Sequence, residues 1–325
     1  MNLEPYMPDA RAVEQIRRDL AVYEPERVKA EGQVGWRVPL FVGPYALLAA
    51  AALFVAWQVT PPENKFIVML LLGCGALFLG HWVHVLARQP ATDTQQWLRD
   101  RVLPIAFGFI DDVQYRHGVV PSSFSHLPRE VTGDVHRREF DDVILGRHGD
   151  AWFEVFECKL TRKEGKSSTI VFKGVVLAFK IEAPFAGKLI ATRRIGGFDK
   201  WMRDLFGKGS LVEVASGDGG LDHEYEFRTD NADGAAALFR SNLGRALSWV
   251  RETWPGEPAR IALSGDDAFL LLPTAKNFFE LPDISATLDY DAHIGPIAAQ
   301  MASLIATAAL VRQACVPAPK SSAGA

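Results

Sequence analysis

Two uncharged apolar runs, Val38 to Val59 and Phe66 to Ala87, lie side by side near the start of this 325-residue chain, and each is 22 residues long. A helix of that length rises roughly 33 Å, enough to cross the hydrocarbon core of a bilayer. The link between them, Thr60-Pro61-Pro62-Glu63-Asn64-Lys65, has room only for a tight turn. The chain is therefore expected to enter a membrane, turn and come back. Buried helices of water-soluble proteins are shorter and usually keep a polar face, whereas neither run carries Asp, Glu, Lys or Arg. Pro39 and Pro44 sit near the start of the first run, where a helix tolerates proline best. Gly73, Gly75, Gly80, Ala76 and Ala87 give the second run small residues for close helix contact. The polar stretch before the first run argues against a cleaved signal peptide.

The flanking charges predict the orientation. Arg17, Arg18, Arg27, Lys29 and Arg37 precede the first run, Arg88, Arg99 and Arg101 come after the second, and the turn offers only Lys65. Lys and Arg accumulate on the cytoplasmic side, so both termini are expected there, in a bacterial inner membrane crossed twice. Trp36, Trp57 and Trp82 lie near run ends, where indole rings favour the interface. His81 and His84 sit near the inner end of the second run. Polar residues in a span are functional candidates, but the first run supplies no further ligand, and both imidazoles can reach headgroups. An interfacial role is expected for them.

The rest of the chain, about residues 92 to 316, is long enough for one substantial core. Residues 1–37 read as a cytoplasmic segment with a short amphipathic helix over 9–22, and residues 317–325 as a disordered tail. The net charge of −4 gives no basic field, so no nucleic-acid partner is expected. Cys74, Cys158 and Cys315 are scattered, which excludes a disulfide framework or a zinc site of paired cysteines. No cofactor is expected. The partners expected are the lipid bilayer and a protein not identifiable from sequence.

Within residues 92 to 316 the spacing predicts a helix over 94–117, with Val102, Phe109 and Val113 in its apolar stripe, then a Ser/Pro loop over 121–128. Strand signals come next. Asp142 to His148 and Trp152 to Arg162 flank a Gly149-Asp150 turn. Ser168 to Phe172 and Val175 to Glu182 flank Lys173-Gly174, and Phe172, Lys173 and Gly174 are expected to form a structural turn between two strands. Residues 187–193, 210–214 and 222–228 read as further strands, the last with one wet face. A helix over 232–254, a hairpin of 260–264 with 268–272 around Gly265-Asp266-Asp267, and a buried helix over 291–311 complete the pattern. The fold class expected is α+β: a transmembrane helical hairpin, then a largely antiparallel sheet with packed helices.

Asp142 with Glu157-Cys158-Lys159 is the most catalytic-looking set. Nucleases with a D…(D/E)xK arrangement hold Mg²⁺ on an Asp and a Glu, with the Lys near the attacking water. Glu157 and Lys159 would share one strand face. Against this, there is no clear basic groove, and more strands replace the helix usual in such nucleases. Gly165-Lys166-Ser167-Ser168 has the ending of a phosphate-binding loop, but it precedes a strand, so the helix N-terminus that would cradle phosphate is missing. No nucleophile elbow or paired-histidine zinc motif is present.

Four stretches carry a family resemblance: Phe140 to Asp150, Phe156 to Arg162, Thr169 to Gly174, and Pro184 to Lys188. In order and spacing they resemble the bacterial membrane-protein family known as the domain of unknown function numbered 3137. Its members have a Glu-Ala-x-Leu strand where Glu157-Cys158-Lys159-Leu160 stands. They also have a Phe-(Lys/Arg)-Gly turn, matched by Phe172-Lys173-Gly174, and a later Phe-x-Gly-(Lys/Arg), matched by Phe185-Ala186-Gly187-Lys188. Where many members read Glu-x-x-Phe-x-Val-Tyr-x-Asp-Asp, this chain has residues His223 to Asn231, with one acid lost. The resemblance implies a two-span hairpin and then a cytoplasmic α+β domain, and it brings no established activity. The Lys159 position is not a fixed lysine in the family pattern, which weighs against the nuclease. The favoured reading is a membrane-tethered interaction or scaffold protein without enzymatic activity; the alternative is a metal-dependent phosphodiesterase using Asp142, Glu157 and Lys159.

Overall fold

The computed structural model describes residues 2–165, 167–194, 211–240, 243–256 and 258–315. The chain forms two compact units: residues 14–105 with 281–293, and residues 1–13 with 106–280 and 294–325. The fold is α+β, with long apolar helices first and an antiparallel sheet with packed helices after them.

In the helical unit, α1 (Ala10–Val59) and α2 (Lys65–Ala106) are joined by a turn over 60–64. Apolar residues dominate their middles because a helix satisfies its own backbone and leaves only side chains to meet the surroundings. Those side chains lie open: Leu47, Leu48, Phe54, Leu71, Leu77 and Phe78 are all exposed. Tyr45 donates its hydroxyl to the Ala76 carbonyl, and a Cβ at Gly80 would lie 3.0 Å from the Tyr45 ring. Small residues on α2 thus admit the tyrosine. The expected amphipathic helix over 9–22 is not a separate element, because α1 runs through it and on into the apolar stretch. Its Ile16 and Leu20 are buried, and its Arg17 pairs with Asp291 at 2.8 Å. Arg27, buried, bridges Glu24 and Glu31 and donates to the Ile284 carbonyl, so residues 281–293 are tied to the polar end of the hairpin.

The described residues of the sheet unit form seven strands: β1 (Asp111–His117), β2 (Arg137–His148), β3 (Ala151–Glu164), β4 (Ser167–Arg193), β5 (Val212–Val214), β6 (Tyr225–Thr229) and β7 (Arg260–Pro273). The order is β1-β2-β3-β4-β6-β5, with β7 also on β4, and every pairing is antiparallel. The α-helices among the described residues of this unit are α3 (Arg129–Thr132), α4 (Gly219–Glu224), α5 (Ala232–Arg240), α6 (Leu243–Thr253) and α7 (Gly295–Ala314). Both faces of the sheet are covered. Val143, Phe156, Leu160, Phe172, Val176, Phe269 and Leu271 form one core cluster. Their strand neighbours Ile144, Val155, Val175, Leu177, Leu270 and Leu272 are buried too, and α7 packs against β4. Inside α7, Ser303 and Thr307 turn their hydroxyls onto the carbonyls of Ala299 and Ser303, so neither buried hydroxyl is stranded.

Several expected boundaries move. The helix expected over 94–117 ends at Ala106, and Val113 lies on β1 instead, because the helical stripe there coincides with strand alternation. The Gly149-Asp150 hairpin is present between β2 and β3. Phe172-Lys173-Gly174 is not a turn between two strands: it lies inside β4, which continues for 27 residues. The expected hairpin around Gly265-Asp266-Asp267 is likewise one strand, β7, whose two halves pair with two successive stretches of β4. The strand expected over 222–228 begins only at Tyr225, after α4, and within the helix expected over 232–254 the described residues Ala232–Arg240 (α5) and Leu243–Thr253 (α6) are helical. Residues 317–325 and Lys166 lie outside the described residues.

Three described helices are long and apolar enough to cross a membrane: α1, the first 25 residues of α2, and residues 290–314, which include α7. No residue in the apolar windows of the first two is buried, whereas the window of the third is 67% buried.

Candidate functional site

The β2–β3 ladder breaks once. Phe140 pairs with Cys158 and Val143 with Phe156, so Asp141 and Asp142 together oppose Glu157. This is a β-bulge, which re-aims side chains where a regular pleat would alternate them. On the other side of β2, His117 of β1 pairs with Asp142. Backbone register alone therefore gathers one imidazole and three carboxylates.

Asp142 is fully buried. Its Oδ1 accepts from the Tyr115 hydroxyl at 2.5 Å and lies 3.4 Å from His117 Nδ1. The same nitrogen is 3.0 Å from Asp141 Oδ1. Asn277 Nδ2 reaches Asp141 Oδ2 at 3.5 Å. Glu157 Oε1 accepts from the amides of Phe278 and Phe279. Burial pushes its carboxyl up from an ordinary 4.5 to about 7; nearby Asp142 and Asp141 add to this, and the two amides oppose it. Cys158, on the same strand, is buried, and its thiol is pushed up to about 12. A thiol held so far above neutrality supplies no nucleophile.

An open cleft of 360 Å³ adjoins this group, lined in part by Glu139, Asp141, Glu157, Lys159, Lys173 and Asn277. The sequence-predicted trio is thus only partly assembled. Glu157 and Lys159 share the cleft, but Asp142 is not among its lining residues, and Asp141 faces it instead. Lys159 Nζ lies 3.5 Å from Glu139 Oε2 across the ladder. Sequence reasoning missed Tyr115, His117, Asp141 and Asn277. The adjacent Asp141-Asp142 pair was the one available signal, since two successive acids cannot both face solvent from a regular strand.

Phe172 is buried, and its ring receives the Arg260 guanidinium at 5.6 Å. Lys173 Nζ donates to the Ala275 carbonyl at 2.9 Å. Gly174 takes φ +153, and a Cβ there would fall 2.0 Å from the Leu272 carbonyl oxygen of β7. Gly187 is similar: a Cβ would lie 2.2 Å from Asp230 Oδ1, the atom that accepts the Lys188 amide at 2.6 Å. Asn231 Nδ2 donates to the Ala186 carbonyl at 2.7 Å. The stretches 185–188 and 223–231, distant in sequence, therefore meet. Trp36, Trp57 and Trp82 are each more than half exposed, and Lys65 Nζ sits 4.5 Å from the Trp57 ring centre beside the helical turn. His81 and His84 are exposed along α2.

No protein-family model matches the chain, and no curated protein matches it. Among solved structures, the crystal structure of the mycobacterial trehalose monomycolate transport factor A, TtfA, is similar to it, with 13% identity and a TM-score of 0.34, over 68% of this chain and 97% of that one.

Proposed function

We propose that the chain is a membrane-tethered interaction protein without enzymatic activity, of the family known as the domain of unknown function numbered 3137. In this reading α1 and α2 cross a bacterial inner membrane as a hairpin, and both termini and the sheet unit are cytoplasmic. The observation that carries it is the pair of apolar helical windows with no residue buried. Apolar surface of that extent is unfavourable in water and favourable in lipid. Two spans are favoured over three because most of the third apolar window is already covered by protein. The arginines flanking the hairpin support the orientation. The sheet unit, carrying no assembled acid, base and nucleophile among its described residues, is read as the surface that engages a protein partner.

Reporter fusions test the tether. A reporter active only in the cytoplasm works when joined before Asn2 or after Val316 and is silent within residues 61–65. Activity in the turn with silence at both ends overturns the orientation. A second reading, metal-dependent phosphodiester hydrolysis, is favoured by one observation, the shared cleft of Asp141, Glu157 and Lys159. Assay of the detergent-purified protein with Mg²⁺ or Mn²⁺ and a phosphodiester substrate separates the two. Turnover abolished by Lys159→Ala would replace the first reading with the second.

A further inference from the structure

The β1–β2 edge holds three metal-ligating side chains in one place. One ligand atom each from His117, Asp141 and Asp142 can be chosen so that all lie within 4.8 Å of one another. We propose that His117, Asp141 and Asp142 bind a single transition-metal dication of the Zn²⁺ class. This goes beyond the tethering role and does not depend on it.

Distance is the first argument. Metal–ligand bonds of about 2.0–2.1 Å in a tetrahedron put neighbouring ligand atoms roughly 3.3 Å apart. His117 Nδ1 lies 3.0 Å from Asp141 Oδ1 and 3.4 Å from Asp142 Oδ1. An ion can take the place of the hydrogen-bonding proton, drawing the Asp141 and Asp142 oxygens to the same spacing from within the 4.8 Å that bounds the group. Ligand type is the second argument. An imidazole nitrogen with two carboxylates suits Zn²⁺ and its neighbours, whereas Mg²⁺ prefers six oxygens and keeps its waters.

The third argument is the layout around the three. Asp142 is fully buried, while the His117 and Asp141 side chains are 35% and 40% exposed. The set is anchored on one side and open to solvent on the other, which leaves a coordination position for water. Tyr115 donates to Asp142, and Asn277 reaches the second oxygen of Asp141, so both carboxylates are oriented by outer partners. The β1–β2 register and the β2 bulge fix the backbone beneath them. Rigid strands thus hold the ligands, with no loop closure required.

The test uses the full-length, untagged protein in detergent, stripped with EDTA and dialysed against Zn²⁺. Bound metal is counted by elemental analysis, and affinity is measured by competition with a chromophoric chelator. Wild type and His136→Ala, a histidine outside the cluster, are expected to bind one equivalent. His117→Ala and Asp141→Asn are expected to lose at least about tenfold in affinity. If His117→Ala fails to fold, Asp141→Asn, at a partly exposed position, decides. Less than one equivalent on wild type, affinity unchanged in the folded cluster variants, or displacement of Zn²⁺ by equimolar Mg²⁺ would each overturn the proposal.

Discussion

At Gly174 the close approach of β4 to β7 leaves space for a hydrogen only, since a Cβ would fall on the Leu272 carbonyl and 2.9 Å from the Thr274 amide. Both atoms are backbone, so neither can rotate away. Gly174→Val is expected to lower stability by about 2–4 kcal/mol, the range for strained and overpacked sites. Lys173→Ala loses one exposed hydrogen bond and is expected to cost less than about 0.5 kcal/mol. Denaturant unfolding in detergent measures both, and a larger loss for Lys173→Ala would make the lysine the important member. Glu157 makes a different prediction. Its carboxyl titrates near 4.5 when unfolded and near about 7 when folded. Below 4.5 both states hold the proton, and the protonated side chain is buried at no ionic cost. As the pH rises from 4.5 through about 7, the unfolded state ionises first, and stability falls by at most roughly 3 kcal/mol before levelling off. Glu157→Gln keeps the acceptor for the Phe278 and Phe279 amides and removes the charge. Melting curves in EDTA from pH 4 to 8 should therefore be flatter for this variant than for wild type. Equal slopes would refute the assignment.

At the scale of the element, the β2 bulge can be removed without disturbing its flanks. Two residues, Asp141 and Asp142, oppose the single Glu157, and regular pairs resume on both sides. Deleting Asp141 leaves a one-to-one ladder with Phe140 and Val143 still on the face they occupy now. Cooperative unfolding is expected to survive with a change of no more than about 2 kcal/mol, while the cleft loses the Asp141 carboxylate. Circular dichroism melting checks this; loss of folding would mean that the bulge sets the register of the whole hairpin. The same bulge explains what was readable in advance. Gly149-Asp150 between two alternating runs identified the β2–β3 hairpin, and Asp142, Glu157 and Lys159 were correctly placed on it. Which aspartate faces the cleft depends on one extra residue, and no local pattern encodes that. Lys173-Gly174 and Gly265-Asp266-Asp267 have turn-like sequences, yet they sit within β4 and β7, where close approach and bulges also call for glycine. Burial on both faces had erased the alternation that would have revealed two long strands. β1 was hidden because Val113 continued a helical stripe, and His117 went unnoticed with it.

For the whole molecule, α1 and α7 give opposite predictions although both are apolar. Leu48 is 71% exposed on α1, and Leu304 is fully buried on α7. Leu48→Arg should cost about 2.5–3.5 kcal/mol on membrane insertion and reduce the fraction of protein that resists carbonate extraction. Leu304→Arg should leave that fraction unchanged but unfold the sheet unit, since an unpaired charge would enter a packed core. Loss of carbonate resistance in the Leu304 variant would make residues 290–314 a third span.

The long partnership of β4 with β7 also has a bearing on how the protein is made. The core strand β4 cannot complete its pairing until β7 leaves the ribosome. At about 5–20 residues per second, the roughly 80 residues from the end of β4 at Arg193 to the end of β7 at Pro273 take on the order of 4–16 s to synthesise. The apolar helices emerge long before that. Throughout the interval, the half-built sheet offers an unpaired edge along β4. Translation speed over this stretch, and whatever shields that edge meanwhile, would then govern the yield of native protein more than the stability of the finished fold.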